Sequence, residues 1–252
     1  MIRLLRELPP ETGIFQSDFT AARVYATMQS YGFRDPHTQF FAQTNARNTV
    51  TAVLDIRDGT CVLAATPDAD HEELNLFLPM SDTRHVLCAE DAAKILTLDV
   101  HTTRCIVRRV DHAKQTAQSE NVEIARELSE LYTFLCRCFD VMPPRETWLA
   151  DFALRRRAQT AEAYFLRDNQ NNLLGTASVL ARTSHIIFLG GVGTIPEARN
   201  QGVARRLLQA ITSQYPSHDC YLICKTELLP FYAKSGFSLV SHWIESKTDR
   251  KD

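Results

Sequence analysis

Between Gly190 and Leu208 the chain reads Gly-Gly-Val-Gly-Thr-Ile-Pro-Glu-Ala-Arg-Asn-Gln-Gly-Val-Ala-Arg-Arg-Leu-Leu. An apolar strand, Ile186 to Ile195, turns tightly into a helix running from Gly202 to Tyr215, and the turn carries the pattern Arg-x-x-Gly-x-Ala at Arg199–Ala204. Small residues at Gly202 and Ala204 let a ligand come close to the backbone. The amides of a first helical turn have no partner within the helix, and the helix dipole adds partial positive charge there, so the turn suits a pyrophosphate. Arg199, Arg205 and Arg206 place formal positive charge at the same end. Such turns also occur without ligands, so the pattern alone does not name one. Downstream, after another strand, comes Leu229-Pro230-Phe231-Tyr232-Ala233-Lys234-Ser235-Gly236-Phe237.

The elements around these residues follow from apolar periodicity. In the second half, Val122 to Phe139 reads as an amphipathic helix with Ile124, Leu128, Leu131, Phe134, Leu135 and Phe139 on one side. Pro143-Pro144 breaks it, and Trp148, Phe152 and Leu154 mark a second helix to about Ala158. A hairpin follows, Ala161 to Arg167 and Leu173 to Ala181, around the polar turn 168–172. The glycine-bearing strand and its helix come next. Cys220 to Cys224 is then a strand, Leu228 to Ser235 a helix, and Phe237 to Ile244 a last strand. In the first half, Phe19 to Tyr31 is a helix ended by Gly32. Val50 to Ile56 and Cys61 to Ala65 form a hairpin around Asp58-Gly59. His71 to Leu78 reads as a helix stopped by Pro79, followed by a strand at Thr83 to Cys88, a helix at Ala89 to Leu96 and a strand at Cys105 to Val110. The polar stretch Asp111 to Asn121 reads as a loop or an exposed helical lead-in. The halves share a rough order of elements, which points weakly to an internal duplication.

With both motifs in order and at this spacing, residues from about 120 to 245 resemble the GNAT (Gcn5-related N-acetyltransferase) superfamily. Arg199 to Ala204 looks like its acetyl-CoA pyrophosphate loop, and Phe231-Tyr232-x-x-x-Gly236-Phe237 like its late helix-to-strand signature. Two departures stand out. Ala204 takes the place of the commoner final glycine, and Lys225-Thr226-Glu227 lacks the asparagine often seen before the late helix. The resemblance implies an α/β chain with a mixed sheet: a GNAT domain over 104–252, and a smaller, degenerate GNAT-like or accessory α/β domain over 1–103. That first half has no Arg-x-x-Gly-x-Gly turn, so a second coenzyme site is not expected there.

The same resemblance implies acetyl-CoA as co-substrate and an N-acetyltransferase reaction on a primary amine of a small molecule, amino acid or peptide. By position, Val192 and Thr194, with Gly193 between them, would meet the thioester carbonyl through backbone amides. Arg199, Asn200, Gln201, Gly202, Val203, Ala204 and Arg205 would hold the pyrophosphate. Tyr232 matches the usual general acid, aimed at the coenzyme sulfur, although an aromatic there also packs a helix on a sheet. Glu227, at the end of the strand beside the cleft, is a candidate general base, with helix capping as its ordinary role; ordered water can serve instead. His185 reads as a surface turn residue. The resemblance leaves room for a homodimer.

Composition narrows the alternatives. The chain has 252 residues, enough for two domains, with 28 Lys+Arg against 30 Asp+Glu and a formal net charge of -2. No basic footprint indicates a nucleic-acid partner. Seven cysteines, mostly among apolar neighbours, read as reduced core thiols, and neither their spacing nor that of His37, His71, His85, His101 and His112 suits a metal site. Neither a secretory signal nor a membrane span is expected, which points to a cytoplasmic location. Two other readings compete. One is a non-catalytic acyl-CoA-binding or scaffolding module that keeps the fold. The other is a nucleotide-binding protein, which would need a P-loop or Rossmann glycine pattern that is absent.

Overall fold

Among the described residues, twelve strands hydrogen-bond into one mixed sheet, in the order β1-β2-β3-β4-β5-β12-β6-β11-β10-β9-β8-β7. The structure is a computed structural model and describes residues 1–81, 83–110 and 121–247. The first half runs β1 (Ile2–Leu4), α1 (Ile14–Ser17), α2 (Phe19–Tyr31), β2 (Thr38–Thr44), β3 (Val50–Arg57), β4 (Thr60–Ala65), α3 (His71–Met80), β5 (His85–Ala89), α4 (Glu90–Lys94) and β6 (Asp99–Arg109). The second half runs β7 (Val122–Ile124), α5 (Leu128–Cys138), α6 (Arg145–Arg157), β8 (Glu162–Arg167), β9 (Leu173–Arg182), β10 (Ile186–Thr194), α7 (Val203–Gln214), β11 (Asp219–Cys224), α8 (Leu229–Lys234) and β12 (Phe237–Lys247). The order of strands and α-helices is the same in the two halves. In each, one pair of neighbouring strands is parallel: β4 with β5, and β10 with β11.

The halves exchange their last strands. β12, from the second half, lies antiparallel between β5 and β6, while β6, from the first, lies antiparallel against β11. The expected division at residues 103 and 104 therefore falls inside β6. A division of the chain into two domains remains our proposal.

Alternation along the strands sends successive side chains to opposite faces. Leu166, Val179, Ile187, Leu189 and Leu222 pack under α7 and α8, whereas Ala163 and Phe165 pack under α5 and α6. Leu54, Ile56 and Leu63 meet α3 and α4 on the first of these faces. Helix α2 lies near the middle of the other face. It touches Val53 and Ala64 in the first half, and Ile106, Phe188, Tyr221 and Trp243 around the exchanged strands.

Several local expectations are corrected. Val122–Ile124 is not helical but an edge strand paired with Tyr164–Leu166, and α5 begins only at Leu128. Ladder hydrogen bonds to β8 satisfy that backbone, and Ile124 is left exposed rather than in the core. Phe139, one residue past α5, is exposed too. Pro79 does not stop α3, which continues to Met80; in a last turn it removes only one helical bond. β6 starts at Asp99 rather than Cys105, because its whole length pairs with β12. β1, α1 and β2 had no sequence signal strong enough to place them. The Asp58-Gly59 hairpin turn forms as expected, both residues having positive φ (49° and 79°). Except at Asn121, the stretch read as a loop or helical lead-in lies outside the described residues. Five cysteines are buried, but Cys136 is exposed and Cys138 half-buried, which separates this pair from the core thiols.

Candidate functional site

β10 and β11 run together for only four residue pairs, Ile186–Leu189 with Asp219–Leu222. Beyond Leu189, β10 stays with β9 through a register shift between Gly190 and Gly193, and resumes at Gly193 opposite Thr176 and Thr194 opposite Gly175. A bulge of this kind bends its strand. It opens a wedge between β10 and β11, with Val192, Gly193 and Thr194 on the β10 side. The same residues approach other elements closely. A Cβ on Gly193 would stand 3.0 Å from Cβ and Sγ of Cys138, so the end of α5 closes over this strand. A Cβ on Gly175 would meet Val203 Cγ1 at 2.5 Å and the Gly193 carbonyl oxygen at 3.0 Å, so the start of α7 is seated on β9 directly beside Gly193.

The turn into α7 passes through a single 3-10 turn at Pro196–Ala198 and then Arg199, Asn200, Gln201 and Gly202. Gly202 is the N-cap, with φ 76° and ψ 9°, a left-handed conformation that favours glycine, and nothing lies within 4 Å of where its Cβ would be. The first turn of α7 has no side-chain cap and no acidic residue. Arg199, Asn200, Gln201, Gly202 and Arg205 are exposed, Ala204 is half-buried, and Val203 is buried under the helix. Gln201 donates from Nε2 to the Glu197 carbonyl at 2.9 Å, which folds the turn on itself. Arg199 lies close enough to Cys138 to offset part of the upward push that burial gives that thiol.

The corresponding helix of the first half is closed. Asp70 caps α3 by accepting from the Glu73 amide at 3.0 Å, and Glu72 and Glu73 put negative charge in the first turn. The two helix starts occupy equivalent places in the element order, yet only that of α7 is open and basic.

Tyr232 lies in α8, 6% exposed, edge-on to Phe231 and Phe237 at 5.0 and 6.1 Å between ring centres. It shares an apolar cluster with Leu222, Cys224 and the α7 residues Val203 and Leu207, and Val192 packs against that same cluster. Burial, with the neighbouring Cys224, pushes its phenol well above the ordinary tyrosine range. Burial likewise raises Cys224, to about 11. Both groups stay protonated near neutrality, so Tyr232 can donate a proton but is a poor base. The Cys105 thiol and the Thr226 hydroxyl lie 3.6 Å apart beside them. Glu227, in the 3-10 turn Thr226–Leu228, is placed differently: its side chain is 69% exposed, with Lys225 at 4.0 Å. Val192, Val203 at the α7 start and Tyr232 thus share one apolar cluster, whereas the Glu227 side chain lies in solvent. His185 is exposed, hydrogen-bonded to Ser184 at 2.6 Å.

Two features here had little sequence signal. One is the contribution of α5 through Cys138. The other is a buried polar cluster around Asp55 on the α2–α6 face. Among the described residues, no group of three or more His, Cys, Asp or Glu is placed to hold a metal ion. No described helix is long and apolar enough to cross a membrane.

Comparison with known proteins bears on the same region. Residues 128–237 match the sequence model of the Acetyltransferase (GNAT) family. No curated protein matches the sequence. Among solved structures, a tandem GNAT protein from the clavulanic acid biosynthesis pathway aligns over 100% of this chain and 99% of its own, with TM-score 0.60 and 13% identity. A GCN5-related N-acetyltransferase from Kribbella flavida aligns over 91% of this chain and 96% of its own, with TM-score 0.59 and 13% identity. One from Sphaerobacter thermophilus covers 98% and 95%, with TM-score 0.58 and 11% identity. At these identities the likeness is one of fold.

Proposed function

We propose, from the match of residues 128–237 to the Acetyltransferase (GNAT) family model, that the chain belongs to that family and transfers an acyl group from acetyl-CoA to a primary amine of a small molecule, amino acid or peptide. The observation that carries the reading is the contrast between the two helix starts. α7 offers an uncapped, acid-free first turn flanked by Arg199 and Arg205, whereas α3 is capped by Asp70 and carries Glu72 and Glu73. Free amides and positive charge fit a pyrophosphate, and the acidic turn repels one.

Acetyl-CoA supplies an activated thioester when bound. In our assignment Asn200, Gln201, Gly202, Val203, Ala204 and Arg205 hold the pyrophosphate through the turn and first-turn amides, and Arg199 supplies charge beside it. Val192 and Thr194, on either side of Gly193, orient the carbonyl from the wedge edge of β10. The amine nitrogen forms a bond to the carbonyl carbon as the carbon–sulfur bond breaks. Tyr232 gives its proton to the departing thiolate. The amine's surplus proton leaves to solvent at the rim, where Glu227 is the proposed acceptor, and solvent returns a proton to Tyr232.

The exposure of Glu227 favours a second reading, a non-catalytic acyl-CoA-binding or scaffolding module, because it puts no carboxylate inside the wedge. Calorimetry with acetyl-CoA, followed by thiol release with an amine panel, separates the two. Saturable binding with turnover on at least one amine is expected. Binding without turnover on any amine would leave the scaffold reading, and absence of binding would sink both.

A further inference from the structure

On the face of the sheet opposite α7 and α8, a cavity of about 230 Å³ lies between α2 and α6, floored by β3, β4, β9 and β10. That is far more than the roughly 30 Å³ share of a single water. Its wall is half apolar, with Val24, Trp148, Phe152, Leu180 and Phe188, and half charged. The charged half is unevenly satisfied. Asp151 accepts hydrogen bonds from the Tyr31 hydroxyl, from Arg155 Nε at 3.1 Å and from Arg57 at 3.3 Å. Arg155 also reaches Thr27.

Two groups lining the same cavity are different. Asp55, only 4% exposed, has a fully buried Oδ1 with no hydrogen-bond partner, and Arg23 has a buried Nη1 in the same condition. Arg23 is held by aromatic faces rather than by an anion, 4.5 Å from the ring centre of Phe188 and 4.7 Å from that of Trp243. A buried, unpaired carboxylate oxygen and a buried, unpaired guanidinium nitrogen are each costly. Neither ion pairs with the other within 4.0 Å, so the cavity keeps an unused anionic acceptor and an unused cationic donor apart.

We propose that this cavity is a binding site for a small zwitterion of the α-amino acid type, its ammonium bonded to Asp55 and its carboxylate to Arg23, with its side chain against Trp148, Phe152 and Phe188. The site does not depend on the coenzyme reading. Phe188 precedes Val192 on β10 by four residues, about 13 Å of strand at roughly 3.3 Å per residue. The ligand is therefore separate from the transfer centre. Because α2 belongs to one half and α6 to the other, an occupant also joins the halves.

The test is calorimetry and thermal unfolding of the full chain, without coenzyme, using glycine, L-lysine, L-glutamate and L-phenylalanine as probes, with butylamine and butyrate as single-charge controls. We expect one-to-one binding of at least one amino acid, at least tenfold tighter than either control. Asp55→Asn, which keeps the volume, should weaken it at least tenfold while acetyl-CoA binding stays unchanged. A crystal of the unmodified protein soaked with the tightest probe should show it between Asp55 and Arg23, a readout that does not require the variant to fold. Four results would each overturn the site: no amino acid binds, a control binds as tightly, Asp55→Asn leaves the affinity intact, or the soaked cavity holds water only.

Discussion

At the scale of single residues, burial pushes one phenol and one carboxylate in the same direction, with different consequences. The buried Tyr232 keeps its proton, because burial raises it beyond the ordinary range. Tyr232→Phe is expected to lower turnover by about a hundred- to ten-thousandfold, the usual worth of a positioned acid, with acetyl-CoA affinity nearly unchanged; unaltered turnover would remove it from the acid role. Glu227→Gln should have a smaller effect, since its solvent-facing carboxylate can be replaced by water, and a loss as large as that of Tyr232→Phe would contradict this ranking.

Asp55 responds through stability instead. Burial raises it from 3.8 to about 6, and Arg57, Arg155 and Arg23 offset this while Asp151 adds to it. Burial pushes the Cys61 thiol on β4 well up, and the same carboxylate adds to it. Between those two values the folded chain holds a proton that the unfolded chain has lost. Stability therefore falls as pH rises through the window, by on the order of 3 kcal/mol in all. Denaturant unfolding of Asp55→Asn against the parent from pH 4 to 7 should show the parent's slope and a flatter one in the variant. Equal slopes would place the titration elsewhere.

At the scale of elements, the site depends on how closely α7 sits on β9. Gly175 has no room for a methyl group, because Val203 and the Gly193 carbonyl already fill that space. Gly175→Ala should cost about 1–3 kcal/mol, the usual cost of overpacking. It should also weaken acetyl-CoA binding by displacing the α7 start, as read by thermal unfolding alongside coenzyme titration; full affinity in a destabilised variant would separate packing from the site. Gly202 is the converse case. Space around it is open, but its φ of 76° is not available cheaply to other residues. Gly202→Glu adds strain and negative charge at the proposed pyrophosphate position and should abolish coenzyme binding in a folded protein, whereas retained binding would refute the turn assignment. The arginine-bearing turn, its helix and the Tyr232 helix were legible because periodicity, glycine and proline mark them locally. α5's closure over Gly193 was not, because it depends on where a helix from another part of the chain comes to rest.

For the whole molecule, the exchange of β6 and β12 makes the two halves interdependent. Each shields the edge of the other's parallel strand pair, and an uncovered edge carries unpaired backbone groups. Truncation after Gly236, which removes β12, should expose both β5 and β6. Hydrogen exchange is expected to show lost protection in β4 and β5 of the first half, far in sequence from the cut; intact protection there would mean that the first half stands alone. The same arrangement carries α2 across the boundary, onto Phe188, Tyr221 and Trp243, which is how the Asp55 cavity comes to be walled by both halves.

The local parts were readable from residue order: the hairpin at Asp58-Gly59, helices α2, α6 and α7, the tight turn at Arg199–Ala204 and the placing of Tyr232 before Gly236-Phe237. These depend on backbone preferences and apolar periods a few residues long, so they can be read without knowing the rest of the chain. Tertiary structure alone decided which strands neighbour one another, that Val122–Ile124 joins an edge instead of a helix, that β6 and β12 change places, and that Glu227 faces solvent. It alone set Asp55 and Arg23, from a strand and a helix, into one cavity. Those outcomes come from long-range hydrogen bonding and burial, whose partners lie tens to hundreds of residues apart, where no local pattern records them.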